Sequence, residues 1–335
     1  MKQFAFDSAF TKMMHENNLD TVVILAHINP DGDAAGSVMG LAHYIRCTYP
    51  DIRVLPYLSE KLDKGPKRRV LQDPVFQPFI SPEVDGKAYG VIVCDTATLA
   101  RIAGKEYYDG AAVSIVLDHH ASNEGYGDVN YTKISESCAE NVFYMVDHAS
   151  LAKATAMEEG QNAAYYMYLG MIHDTDGFDR ATVSTLEAAA ELQKLGISHG
   201  AIMKTLKTET YMDLFKRMEL MSEAVRSEDG KIAYVFVDQE ECKAKNIGYE
   251  DIHPISGLLR DCEDIELGFT FYEEEPDLWR CSFRSDGKWI NVNELMKPFG
   301  GGGHTGASGL RKKSEDPKGL IREILDRVDL LRKDK

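Results

Sequence analysis

The chain has 335 residues, 44% of them hydrophobic and 27% charged, which favours two globular domains over one and excludes a largely disordered chain. Its net charge of −16 argues against a protein that holds long DNA or RNA, a task that takes a basic surface, so an anionic ligand must be met locally, for instance through bound cations. The six scattered cysteines include no CxxC pair and suggest neither a zinc ribbon nor a disulfide framework, and no apolar run approaches the roughly 20 residues that span a bilayer; a cytoplasmic protein with no membrane partner is expected.

Residues 1–18 mix Phe4, Phe6, Phe10, Met13 and Met14 with Asp7 and Glu16, which predicts an amphipathic helix rather than a secretory signal. Four apolar, β-branched-rich runs follow at 21–26, 52–58, 90–94 and 113–117, spaced widely enough for crossovers, and predict a parallel sheet with helices on its faces. Three of these runs end in polar clusters, HINPDGDAAGS, DTATLAR and DHHASN, which should converge, because the ligand crevice of an open α/β sheet lies beyond the carboxyl ends of its strands. Helical patterns occupy 138–148, 162–172 and 185–195, the last with Ser184 and Glu187 as a capping-box pair and Gly196 as its stop. A longer helical stretch, 208–226, ends in SEDG. Alternating strands then appear as KIAYVFV, ELGFTFY and WRCSFRS, and residues 316–335 predict a terminal amphipathic helix. The fold class is α/β, with an N-terminal parallel-sheet domain at 1–196, a helical linker at 197–229 and a smaller C-terminal α/β domain at 230–335, with a cleft between the two domains.

His27, Asp31 and Asp33 lie within seven residues on a turn broken by Pro30 and Gly32. An imidazole and two carboxylates suit Mn²⁺, Mg²⁺ or Zn²⁺, and the oxygen-rich set leans toward Mn²⁺ or Mg²⁺. An Asx turn with a helix cap explains the same residues equally well. Asp95 follows GVIVC and Asp118 follows VSIVL, each where a buried strand emerges, and the second is followed by His119 and His120. Neighbouring side chains on extended backbone point apart, so a turn is needed to set His119 on metal and His120 on a substrate phosphate. Asp174 closes the apolar helix AAYYMYLGMIH, with His173 and Asp176 as weaker competitors for metal contact.

HINPDGDAAGS, DTA, DHH and GMIHDTDGF stand in the order and spacing of the DHH phosphoesterase superfamily, and RSDGKWINVNELMKPFGGGGHTGASG resembles the GGGH-bearing DHHA1 domain of one branch. The resemblance covers nearly the whole chain and implies two Mn²⁺ ions, with Mg²⁺ the alternative. It implies one ion on His27, Asp31 and Asp95 and a second on Asp33, Asp95, His119 and Asp174, so that Asp95 bridges. It makes Asp95, His120 and Asp118 the catalytic group, with Asp118 orienting a neighbouring ligand and His120 neutralising phosphoryl oxygens.

In the second domain, Arg284, Ser285, Gly301, Gly302, Gly303 and His304 would grip phosphate or nucleotide, since glycines let backbone N–H groups approach phosphate and an Arg fork binds it through paired hydrogen bonds. Arg101 is a further anion-binding candidate, with Asn123 and Glu140 as supports. The resemblance points to the stand-alone enzymes that shorten oligoribonucleotides to mononucleotides and convert 3'-phosphoadenosine 5'-phosphate to AMP. Their partners are short RNA and small nucleotides, and a second copy of the chain is retained as a candidate partner. Hydrolysis of cyclic di-AMP or pApA is the second reading, and an exopolyphosphatase or a non-catalytic nucleotide sensor ranks lower. Asp176 departs from the small residue more usual in relatives and would add negative charge near the metals.

Overall fold

The computed structural model describes residues 5–62, 64–208 and 210–333, and the chain divides into two compact units, Met1–Thr208 and Glu209–Lys335. The first unit runs α1 (Ala5–Glu16), β1 (Thr21–Leu25), α2 (Gly32–Thr48), β2 (Arg53–Pro56), α3 (Lys64–Val70) and β3 (Gly90–Cys94). A 3-10 turn (Leu99–Arg101), α4 (Lys105–Asp109), β4 (Val113–Asp118) and β5 (Val129–Thr132) follow, then α5 (Cys138–Met145), α6 (His148–Met157), α7 (Ala163–Asp174), α8 (Val183–Lys194) and α9 (His199–Lys207).

The five strands form one parallel sheet in the order β2-β1-β3-β4-β5. β1 and β3 are buried at every position because alternate side chains feed two cores: Val22, Ile24 and Ile92 enter one, Val23, Leu25 and Val91 the other. Neither strand has a wet face, which is why TVVIL and GVIVC read as unbroken apolar runs. β2 flanks β1 on one side and β3 on the other, so the loops after β1 and β3 leave in opposite directions and open a crevice at their carboxyl ends.

Most expected elements are present with small boundary shifts. The amphipathic N-terminal helix is α1, which buries Phe6, Phe10, Met13 and Met14; Phe4 lies outside the described residues. The short edge strand β5, whose VNYT alternates between half-buried and exposed, was not anticipated, and neither was α6. The capping box on α8 is not formed. Thr182 is the cap, accepting from the Thr185 N–H, while Ser184 Oγ donates to Glu140 Oε1 at 2.5 Å and Thr185 Oγ1 to Glu140 Oε2 at 2.7 Å. Glu140 is therefore a buried tie between α5 and α8 rather than an anion-site support.

The second unit runs α10 (Tyr211–Ser222), β6 (Val225–Arg226), β7 (Ile232–Val237), α11 (Gln239–Lys245), α12 (Tyr249–Ile252), α13 (Ile255–Arg260), β8 (Leu267–Glu275) and β9 (Leu278–Ser285). It ends with α14 (Val292–Met296), β10 (Gly302–Gly303), β11 (Ala307–Lys313) and α15 (Pro317–Lys333). Its sheet order is β10-β11-β9-β8-β7-β6, with β7 and β8 parallel and the remaining pairs antiparallel. Phe269, Phe271 and Phe283 pack with Leu320, Ile321 and Ile324 of α15, the amphipathic terminal helix; residues 334–335 lie outside the described residues. The stretch 197–229 is shared between the units. α9 binds the first through Arg69 Nε, which donates to Thr205 Oγ1 at 3.0 Å, whereas Leu220 of α10 joins the core of Val235 and Ile252 in the second.

One helix pair positions the acids. α2 and α7 run antiparallel, with Gly32 facing His173, Gly36 facing Tyr166 and Gly170, and Gly40 facing Ala163 and Met167. A Cβ on Gly36 would stand 2.6 Å from the Tyr166 carbonyl oxygen and 2.7 Å from Gly170 Cα, so the two backbones touch where a side chain would hold them apart. Contact at this distance brings the last residue of α7, Asp174, to the first turn of α2. Replacing Gly36 with Ala should destabilise the first unit by about 1–3 kcal/mol through overpacking and weaken Mn²⁺ affinity along with it. Urea unfolding and metal titration of the variant check this, and wild-type values in both would contradict the assignment.

Further along α2, the buried His43 lies between two carboxylates, Nε2 2.9 Å from Asp73 Oδ2 and Nδ1 2.6 Å from Glu158 Oε2. Carboxylates only accept, so both ring nitrogens carry protons and the ring is an imidazolium. Burial pulls its pKa down, but hydrogen bonds to Asp73 and Glu158 outweigh that and raise it above the ordinary 6.5. Tyr166 adds a hydrogen bond to Asp73 at 2.8 Å, and Arg46 pairs with Glu158. Removing one member of such a buried set costs about 3–5 kcal/mol, and His43→Gln should show this below pH 6.5. Because the folded pKa is raised, the contribution is full below the unfolded value and fades as pH rises through the folded one. The stability gap between wild type and variant should therefore narrow toward alkaline pH in melts across that range; a gap that widens would contradict the charged form.

Candidate metal centre

Asp31 caps α2, its Oδ1 accepting from the N–H groups of Asp33 at 2.9 Å and Ala34 at 3.0 Å. The cap leaves the second oxygen of the Asp31 carboxylate open to a cation. Asp33, fully buried, accepts from the N–H groups of Cys138 at 2.6 Å and Ala139 at 2.9 Å, which fastens the loop after β1 to the start of α5.

Asp95 leaves β3 in the left-handed region at φ 50°, a conformation Asp tolerates better than most residues and one that accumulates at functional sites. His27 Nε2 lies 3.4 Å from its Oδ2 and His119 Nε2 3.3 Å from its Oδ1. His119 Nε2 is also 3.5 Å from Asp174 Oδ2 and 3.9 Å from Asp33 Oδ2. Ligand atoms of His27, Asp31 and Asp95 all lie within 4.8 Å of one another, as do those of Asp33, His119 and Asp174. The structure thus brings together the residues named in the motif resemblance, with Asp95 adjoining both groups, and it sets Asp95, His119 and His120 within the same distance as well. His173, ranked below Asp174 on sequence, comes within the same distance of Asp31 and Asp174. Asp176 instead points away, 61% exposed, with its carboxylate 3.8 Å from Arg180.

Hydrogen bonding fixes what the two adjacent histidines present. His119 Nδ1 lies 3.1 Å from the Ser135 carbonyl, which only accepts, so Nδ1 carries a proton and Nε2, facing three carboxylates, is the nitrogen left to exchange its proton for a cation. Asp118 braces the other ring: its Oδ1 accepts from the His119 N–H at 2.8 Å and lies 2.8 Å from His120 Nδ1. Asn123 Nδ2 donates to Asp118 Oδ2 at 2.6 Å, so Asn123 steadies Asp118 rather than binding an anion directly. His120 is the more accessible of the pair, its side chain 34% exposed against 12% for His119.

The protein groups alone are electrostatically unfavourable here. Burial, then Asp174 and Asp95, push Asp33 well above the usual carboxylate range, and burial with Asp174 does the same more mildly for Asp31. Burial lowers the His119 pKa, but Asp95, Asp33 and Asp174 overcome it and hold the imidazole up to about 11. Asp95 Oδ1 is buried with no hydrogen-bond donor among the described residues. Carboxylate oxygens and an imidazole nitrogen facing one another fit a bound divalent cation, which supplies the charge that relieves them.

Arg101, exposed, closes the 3-10 turn beside His27: its carbonyl accepts from the Ile28 N–H at 2.8 Å, and its charge opposes protonation of His27. In the second unit, β9 pairs with β11 so that Arg284 faces Ala307, three residues beyond His304. Gly302 and Gly303 form β10, and a Cβ on Gly303, at φ 151°, would stand 2.4 Å from the Ala307 carbonyl oxygen, so glycine is required for the tight hairpin that carries His304. Gly301 is equally confined: a Cβ on it would stand 2.5 Å from the Gly309 carbonyl oxygen. Ser285 differs from its expected ligand role: only 3% exposed, it donates to the Ile290 carbonyl at 2.7 Å and accepts from the Gly287 N–H, closing the loop after β9. A cavity of about 490 Å³ around Arg69, Tyr165 and Ile202 contains none of these residues. No helix among the described residues is long and apolar enough to cross a membrane.

A parallel sheet whose strand ends gather aspartates and histidines around a shared carboxylate defines a class, the metal-dependent phosphoesterases of the DHH type. Residues 21–171 match the DHH family, N-terminal domain, and the chain belongs to that family and is a hydrolytic phosphoesterase. It is similar to the bifunctional oligoribonuclease and PAP phosphatase NrnA of Bacillus subtilis (strain 168), 30% identical over 295 residues that make up 87% of this chain and 88% of that one. The cyclic-di-AMP phosphodiesterase PdeA of Listeria monocytogenes is 23% identical over 92% of this chain and 47% of its own length. The fold is shared with an exopolyphosphatase-related protein from Bacteroides fragilis, at a TM-score of 0.81 and 23% identity over 99% of both chains.

The Asp118–His120 pair yields a direct check. Asp118→Asn should leave metal content at the wild-type level, measured by elemental analysis, while kcat falls about 10- to 100-fold. Loss of metal would instead place Asp118 among the ligands.

Proposed function

We propose that the enzyme is Mn²⁺-dependent and hydrolyses short oligoribonucleotides to mononucleotides and 3'-phosphoadenosine 5'-phosphate to AMP. The observation that supports this most is Asp95, standing between His27 and His119 with Asp31, Asp33 and Asp174 around them, in a chain alike over most of its length to a bifunctional oligoribonuclease and PAP phosphatase. His27, Asp31 and Asp95 would hold one ion, and Asp33, Asp95, His119 and Asp174 the other. When bound, such a pair supplies positive charge for the phosphoryl oxygens and lowers the pKa of water so that it attacks at neutral pH.

The protein's own groups account for the remaining steps. His120, held by Asp118, donates a hydrogen bond to a phosphoryl oxygen as charge develops there. Arg284 and the hairpin of Gly301, Gly302, Gly303 and His304 bind phosphate and nucleotide in the second unit, with Arg101 a further anion contact in the first. The two substrates ask for one bond cleavage: water adds to phosphorus, the P–O3' bond breaks, and the 3' oxygen leaves with a proton. In 3'-phosphoadenosine 5'-phosphate the products are AMP and phosphate, and in pApA they are two molecules of AMP. Net charge of −16 accords with small substrates held in a local pocket rather than long strands on a basic track. Likeness to PdeA favours a second reading in which cyclic di-AMP is cleaved at the same centre.

Purified protein with Mn²⁺ should release AMP from both pApA and 3'-phosphoadenosine 5'-phosphate, and Asp95→Ala should lose at least about 100-fold in kcat. Turnover of cyclic di-AMP or polyphosphate with neither of these two consumed would overturn the assignment, and full activity of the variant would remove Asp95 from the metal centre.

A further inference from the structure

The loop between β9 and α14 carries an indole that the phosphate-binding reading leaves unused. Trp289 is 56% exposed, whereas the chain's second tryptophan, Trp279, is 3% exposed within the core. The loop that presents it is built to hold shape. Asp286 Oδ1 accepts from the N–H groups of Lys288 at 2.9 Å and Trp289 at 3.4 Å, and Ser285 Oγ donates to the carbonyl of the next residue, Ile290, at 2.7 Å. The same loop packs against the hairpin that bears His304: the Val292 N–H donates to the Thr305 carbonyl at 2.9 Å, and Gly287 lies against the Thr305 methyl. Trp289 therefore stands on a braced loop that follows Arg284 and packs against the hairpin bearing His304.

An exposed indole on a braced loop leaves a large apolar ring in water, and its π face matches a nucleobase, which stacks on aromatic rings with little regard to sequence. Lys231 Nζ stands 5.8 Å from the ring centroid and is paired with Glu266, so a cation steadies the indole. We propose that Trp289 is the stacking platform for a nucleobase of the substrate, carried on the loop that follows Arg284 and packs on the His304 hairpin, and that this is how the second unit prefers base-bearing phosphoesters to bare phosphates. The inference rests on the nucleotide-hydrolase reading above and names the residue that selects the substrate class.

Trp289 provides its own probe, since its partner indole is buried. In the full-length protein, AMP should quench the exposed-indole emission and inorganic phosphate at equal concentration should not; Trp289→Phe should abolish the quench. With pApA and Mn²⁺, Trp289→Ala should raise KM about 5- to 100-fold with kcat within about twofold, and Trp289→Tyr should restore most of the loss. An unchanged KM in the alanine variant, or a quench by phosphate equal to that by AMP, would overturn the stacking role. Failure of the wild type to cleave pApA would count against the nucleotide reading, while the fluorescence titration still decides whether a base stacks on Trp289.

Discussion

Backbone contact between α2 and α7 is the constraint on which the metal centre depends. Asp31 and Asp33 start α2 and Asp174 ends α7, so their separation is set by how closely two antiparallel helices pass, and Gly36 and Gly170 let them pass with no side chain between. A Cβ on Gly170 would itself meet Ala139 and Asp33 Oδ1, which means that α5 is held in the same contact. Asp33 completes the tie by accepting two N–H groups at the start of α5. Helix packing on one side and strand ends on the other thus converge on a few ångströms of acid-rich space.

That space is costly for a protein of net charge −16. Buried carboxylates crowd one another until Asp33 resists ionisation, and Asp95 is kept charged, despite its burial, only by the imidazoles of His119 and His27. The Ser135 carbonyl holds a proton on His119 Nδ1, so it is Nε2 that faces the same acids and can give up its proton to a cation. A divalent cation resolves all of these conflicts together, whereas protonation resolves only some. A chain of this net charge can act on phosphates where a bound cation and a few neighbouring cationic side chains would meet the substrate locally.

Much of this could be read from the residues because the chemistry sits at strand ends. TVVIL, GVIVC and VSIVL are unambiguous buried strands, and the polar residues that follow them had to gather at one edge of the sheet. What the sequence hid was decided by tertiary contact. Ser184 and Thr182 both suit a helix cap, and the buried Glu140 claimed Ser184. Asp118 could have braced either histidine until the turn placed His120 Nδ1 beside it. His173 and Asp176 flank Asp174 alike in sequence, yet the left-handed residues Asp176, Gly177 and Phe178 carry the chain away after the helix, leaving His173 inside and Asp176 in solvent. Ser285 stood next to Arg284 in a promising motif, but its hydroxyl is consumed by the loop that presents Trp289.

The central claim is that Asp95 is the carboxylate shared by two ions. Anomalous diffraction at the manganese edge from crystals grown with Mn²⁺ tests it most directly. The account predicts two peaks roughly 3.5–4 Å apart, both within bonding distance of Asp95, one also on His27 and Asp31 and the other on Asp33, His119 and Asp174. A single peak, or two that do not share Asp95, would contradict it.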